Sequence, residues 1–130
     1  MKKQALTIAS FLMIIVGLLR GMGGLALLTD RENLDVGFPL TASSGEMDAA
    51  AYSLLAVCCL LVFSGLSLTI RRVRVTWLLS WASMLLFLVG GAVNGFLLFG
   101  HPLATGQWIN LGICCIIGIC LFIGKERIRR

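Results

Sequence analysis

Val16-Gly17-Leu18-Leu19-Arg20-Gly21-Met22-Gly23-Gly24 sets one arginine and four glycines inside an otherwise apolar segment. An arginine deep in a membrane helix costs roughly 2.5–3.5 kcal/mol on insertion scales, so it needs a buried partner or a route to water. The glycines remove side chains and let a second helix come close. Both features point to a helix packed among other helices in a membrane.

Composition agrees. Of 130 residues, 58% are hydrophobic and 13% are charged, and mean hydropathy is +0.97. Soluble domains carry about 25% charged residues. The charges here are clustered, with long apolar runs between them, which defines an integral membrane protein and excludes a disordered chain. The net charge of +5 does not point to nucleic acid. The basic residues stand at the ends of apolar segments, where the positive-inside rule places them.

Working outward from Arg20, the first apolar segment runs from Ala5 to about Leu28, after a basic start with Lys2 and Lys3. A cleaved signal peptide would have an apolar region of about 7–15 residues and a small-residue cleavage site. This run is longer, contains Arg20 and has no such site, so a retained helix is expected. Residues 29–44, TDRENLDVGFPLTASS, form the longest polar stretch, and Gly37 and Pro39 break any helix there. Ser43-x-x-Glu46 reads as a capping box, and Asp48 adds favourable charge to the first turn of helix two. That helix is expected over 46–70 and ends in Arg71-Arg72-Val73-Arg74, a tight basic connection. Helix three is expected over 75–100, with Trp77 and Trp81 as interfacial anchors and His101-Pro102 as its stop. Helix four is expected over 106–124, followed by Lys125, Arg127, Arg129 and Arg130.

The reading is therefore an all-α polytopic membrane protein, one four-transmembrane-helix domain covering residues 1–130. The lysine and arginine bias puts both termini and the Arg71–Arg74 turn on the cytoplasmic side of the membrane. The acidic loop 29–48 and the loop around His101 face outward.

Small and polar residues fall on stripes with alternating three- and four-residue steps. Helix one has Ser10, Met13, Gly17, Arg20 and Gly24. Helix two has Ala49, Ser53, Ala56, Leu60, Ser64 and Ser67. Helix three has Thr76, Ser80, Ser83, Phe87, Gly90 and Asn94, and helix four has Gln107, Asn110, Cys114 and Gly118. Such stripes form seams between helices. The G-x-x-x-G pairs Gly17–Gly21 and Gly91–Gly95, together with Gly24, are assigned to packing within the bundle.

Depth gathers the polar residues at one level. Arg20, Asn94, Gln107 and Asn110 all fall in the outer half, and Glu46, Asp48 and Tyr52 begin helix two from the same side. One reading is an outward-facing polar pocket in which Arg20 and the amides bind a lipid headgroup or another anionic or polar group. A second is a structural network in which Asp48 or Glu46 neutralises Arg20. A third is Arg20 snorkelling to the interface.

Catalytic chemistry finds little support. His101 is the single histidine, so no metal site is expected, and no cofactor is implied. No carboxylate lies deep in a helix to serve a proton relay. Cys58, Cys59, Cys114, Cys115 and Cys120 lie inside apolar runs and read as small, buried packing residues. A membrane thiol redox enzyme would need a reactive thiol near water with a lowered pKa.

The run GLLRGMGGLALL (17–28), the outer loop before helix two and the basic middle turn together resemble the DoxX-like group of small bacterial four-helix membrane proteins. The resemblance is one of layout and covers most of the chain. It implies the four-helix fold and does not imply an activity. The functional expectation is a non-enzymatic accessory or ligand-binding protein of a bacterial inner membrane, with its site at Arg20. Its partners would be membrane lipid and a second copy or another membrane protein. The alternatives are a protomer of an oligomeric transporter or channel and, behind it, the thiol redox enzyme.

Overall fold

The computed structural model describes residues 1–29, 44–99 and 105–128. It contains helices α1 (Lys2–Thr29), α2 (Ser44–Ile70), α3 (Arg74–Phe99) and α4 (Thr105–Ile123), and a 3₁₀ turn over Gly124–Arg127. All four helices are long and apolar enough to cross a membrane. At 1.5 Å per residue they run from about 28 to about 42 Å, against a hydrocarbon core of about 30 Å.

The helices follow the apolar runs and overshoot some of them. The Ala5 N–H bonds to the Met1 carbonyl at 3.0 Å, so α1 starts in the basic leader. Apolar composition marks where lipid begins, whereas the backbone ladder continues into the interface. Ser43 of the expected capping box, Gly37, Pro39, His101 and Pro102 lie outside the described residues.

Sequential helices run antiparallel: Gly17 faces Leu61 and Gly24 faces Ala51, Ser64 meets Ser83 and Ser53 meets Asn94, and Gln107 reaches Leu88 while Trp77 reaches Leu121. Contacts are densest between α1 and α2, and the pairs α2–α3, α3–α4 and α1–α4 close the ring. The main core combines Leu6, Ala9, Met13 and Val16 of α1 with Leu61 and Leu68 of α2, Met84 and Phe87 of α3, and Ile117 and Leu121 of α4. A smaller cluster of Leu27, Ala50 and Ala51 fills the far end, where α1 finishes and α2 begins.

The glycines of α1 set the α1–α2 seam. A Cβ at Gly17 would lie 3.0 Å from Leu61 Cβ, and one at Gly24 would lie 2.9 Å from the Ala51 carbonyl. Gly21 faces Cys58 in the same way. Gly17, Gly21 and Gly24 are therefore packing glycines inside the bundle.

The stripe expected on α2 needs correction. Ala49 and Ala56 are exposed, and Ala50, Ala51 and Leu61 are buried instead. α2 contacts two neighbours at once, so its inward face is broad. Ala51, Leu54, Cys58 and Leu61 face the glycines of α1, and Gly65 faces Ser10 and Ile14, so a single small-polar stripe does not capture that face. The cysteine expectation is also corrected. Cys114 is buried and Cys58 and Cys120 are half-buried, but Cys59 and Cys115 are exposed; all five are free thiols. Consecutive helical residues diverge by about 100°, so Cys58–Cys59 and Cys114–Cys115 cannot both turn inward.

Polar groups inside the bundle are paired locally. Ser64 and Ser83 join α2 to α3 through their hydroxyls at 2.5 Å, and Ser83 also donates to the Leu79 carbonyl at 2.8 Å. Trp77 Nε1 donates to the Leu121 carbonyl at 3.0 Å, in the last turn of α4, where carbonyls run out of helical partners. Trp77 is thus a structural tie and not simply an interfacial anchor. Lys2 pairs with Glu126 and brings the start of α1 to the 3₁₀ turn. The outer surface is apolar, with Phe11, Met22, Phe63 and Phe122 all more than half exposed.

Candidate functional site

Arg20 stands nine residues before the end of α1, about 14 Å along the axis, and α4 runs beside it. Its Nη2 donates to Asn110 Oδ1, and its guanidinium carbon lies 5.4 Å from the centroid of the Phe87 ring. Asn110 and Phe87 are both buried. The arginine is therefore drawn inward among α1, α3 and α4, and is not snorkelling along the lipid face. A guanidinium over an aromatic ring is attracted by the ring quadrupole.

The amides continue the arrangement. Asn110 Nδ2 donates to Gln107 Oε1 at 3.1 Å, and Gln107 Nε2 donates to the Leu88 carbonyl of α3 at 3.0 Å. The direction of this relay is fixed at both ends. Arginine can only donate, so Asn110 must turn its oxygen toward Arg20. The Leu88 carbonyl can only accept, so Gln107 must turn its nitrogen toward Leu88. The two amides between them then meet oxygen to nitrogen. Among the described residues, every buried side-chain nitrogen and oxygen has a partner.

Gly91 makes room for this relay. A Cβ there would lie 2.5 Å from Gln107 Oε1 and 3.1 Å from Asn110 Nδ2. Its role is to admit two polar side chains of α4, in addition to bringing two helices together. Gly95 stands one turn further along α3, half-buried.

The remaining expected residues divide. Asn94 is buried and belongs to a second group, in which Ser53 Oγ shares its proton between the Ala50 carbonyl at 2.8 Å and Asn94 Oδ1 at 3.0 Å. This joins α2 to α3 on another side of the bundle. Tyr52, next to Ser53, is 63% exposed and turns outward, because its neighbour takes the inward position. Glu46 is exposed and Asp48 half-buried, both in the opening turns of α2 at the far end. Phe87 and the Leu88 carbonyl join the site although sequence reasoning gave them no part in it. Phe87 stood on the α3 stripe, but a carbonyl carries no sequence signal.

The site thus offers a fixed cation with a planar fork of donors, backed by oriented amides and an aromatic ring. It contains no nucleophile paired with a base. Among the described residues, no group of three histidine, cysteine, aspartate or glutamate side chains is placed to hold a metal ion. Compared with family models, curated proteins and solved structures, the chain matches none.

Proposed function

We propose that this protein is a small, non-enzymatic accessory protein of a bacterial inner membrane, with both termini cytoplasmic. In this reading it holds a lipid headgroup, or another anionic or polar group, at Arg20 in the outer half of the bundle. One observation carries the reading. Arg20 donates to a neutral amide and lies over an aromatic ring, and neither of these contacts cancels its charge. A guanidinium has five N–H donors, of which Asn110 takes one, and its planar fork suits a carboxylate or phosphate. The sequence layout resembles that of DoxX-like proteins, and that resemblance leaves the ligand open.

Arg20→Gln separates this function from a purely structural role. Glutamine can still donate to Asn110 Oδ1, so the fold should persist while the charge is lost. Native mass spectrometry of protein released from nanodiscs of phosphatidylglycerol and phosphatidylcholine reads the outcome. The proposal expects the wild type to retain an acidic lipid that Arg20→Gln loses and Arg20→Lys partly keeps. Equal retention by the wild type and a folded Arg20→Gln would overturn it. So would a Lys variant that folds normally and behaves like Gln.

A further inference from the structure

The opposite end of the bundle carries a second feature, independent of Arg20. A cleft of about 640 Å³ opens where α1 begins and α2 ends, and its walls include Lys3, Thr69, Ile70, Arg71, Arg72 and Arg127. The four cations come from three separate parts of the chain: the start of α1, the α2–α3 turn and the 3₁₀ turn. Only folding brings them together.

Two neighbouring charges are engaged elsewhere. Glu126, the acid beside Arg127, pairs with Lys2, and Lys125 lies over the Trp77 ring at 5.9 Å. The cleft therefore keeps a concentrated positive charge, which favours an anion.

Arg72 is held in place before any ligand arrives. Its Nη1 donates to the Lys3 carbonyl at 3.4 Å and its Nη2 to Thr7 Oγ1 at 3.0 Å, bridging the turn to α1. The turn is itself locked. Thr76 Oγ1 shares its one proton between the Arg71 carbonyl at 2.6 Å and the Val73 carbonyl at 2.9 Å, and accepts from the Val73 N–H at 3.3 Å. Arginine on a rigid frame is a strong phosphate partner because less side-chain freedom is lost on binding.

The wall also has an apolar part. Ile70 is 77% exposed and adjoins Arg71 at the end of α2, where the apolar span gives way to the interface. A soluble phosphate has no use for that surface, whereas a phospholipid presents a phosphate next to apolar chain. Basic pockets between membrane helices are the expected form of an acidic headgroup site.

We propose that this cleft binds the phosphate of an acidic phospholipid, with Arg72 as the fixed donor. Lys3, Arg71 and Arg127 surround the phosphate, and Ile70 lies against the start of the acyl region.

The test uses full-length protein in micelles containing equal phosphatidylglycerol and phosphatidylcholine, with bound lipid counted by native mass spectrometry. Made in an Arg20→Gln background, so that a lipid at Arg20 is not counted, Arg72→Gln and Arg127→Gln should each lower retained phosphatidylglycerol, and the double variant should lower it by about tenfold. Arg74→Gln removes an equal charge from outside the cleft and should leave retention unchanged. The Arg20 reading is scored separately, by wild type against Arg20→Gln with the cleft intact, so failure here is distinct from failure there. Because Arg72 also braces α1, Arg127→Gln provides the measurement should Arg72→Gln unfold. Equal retention of the two lipids would overturn the proposal. An equal loss in Arg74→Gln would do so too, as would displacement of the lipid by millimolar inorganic phosphate.

Discussion

Gly23 and Gly24 are adjacent and make opposite demands. A Cβ at Gly24 would lie 2.9 Å from a backbone carbonyl of α2, whereas one at Gly23 would meet nothing within 4 Å. Gly24→Ala is expected to destabilise by roughly 1–3 kcal/mol, because a backbone atom cannot rotate away and the helices must part. Gly23→Ala should be neutral or slightly stabilising, since alanine is the better helix former. Thermal unfolding of the two variants in the same detergent tests the contrast, and equal midpoints would contradict the α1–α2 seam. Gly91 and Gly90 form a second pair. Alanine at Gly91 collides with Gln107 and should break the amide relay, while alanine at Gly90 finds only Val57 at an ordinary 3.8 Å. A loss of about 1–3 kcal/mol confined to Gly91→Ala is expected, from overpacking and from amides left unpaired. At this scale the sequence was legible along the helix axis and less so around it. Depth alone brought Arg20, Gln107 and Asn110 together, and they do meet. Depth also drew in Asn94 and Tyr52, which bond to Ser53 or turn outward, because residues that face lipid are as apolar as those that face the core.

Among the elements, the α2–α3 connection depends on one hydroxyl. Thr76 ties together the carbonyls of Arg71 and Val73 and the N–H of Val73, so residues 71–73 need no loop of their own. Thr76→Val preserves shape and removes these bonds. A cost of about 1 kcal/mol is expected, since water at this exposed turn replaces part of what is lost. The sharper readout is local: trypsin should cut after Arg71, Arg72 or Arg74 faster in Thr76→Val than in wild type, and Thr76→Ser should restore protection. Unchanged cleavage would remove the hydroxyl from the account of the turn. The sequence announced the tight connection through its basic run, yet not the device that makes it tight, because a threonine two residues into a helix has several common roles. The same difference separates expected from observed helix ends. Hydropathy locates the span, while bonds such as Ala5 to Met1 and Trp77 to Leu121 decide where each helix stops and what closes it.

For the whole molecule, the helix order places every described chain end at one of two levels. Lys2 meets Glu126, and the Arg71–Arg74 turn lies at that same basic end, whereas α2 starts at the other. Nine of the eleven lysines and arginines fall on the basic end by sequence position, and Arg31 alone belongs to the opposite connections. The proposed orientation follows from the positive-inside rule, by which the side richer in lysine and arginine is retained in the cytoplasm. Single cysteines introduced by Lys2→Cys, Gly45→Cys and Arg74→Cys in a background lacking the five native thiols test this. A membrane-impermeant maleimide applied to intact spheroplasts should label Gly45→Cys alone, and the other two should react only after permeabilisation. The reverse pattern would invert the protein and place Arg20 in the cytoplasmic half, which would move its proposed ligand to the other leaflet. Simultaneous labelling of Gly45→Cys and Arg74→Cys from outside would be more serious. Those positions lie at opposite ends of the helices on either side of the turn, so both can be reached together only if α2 does not cross the membrane.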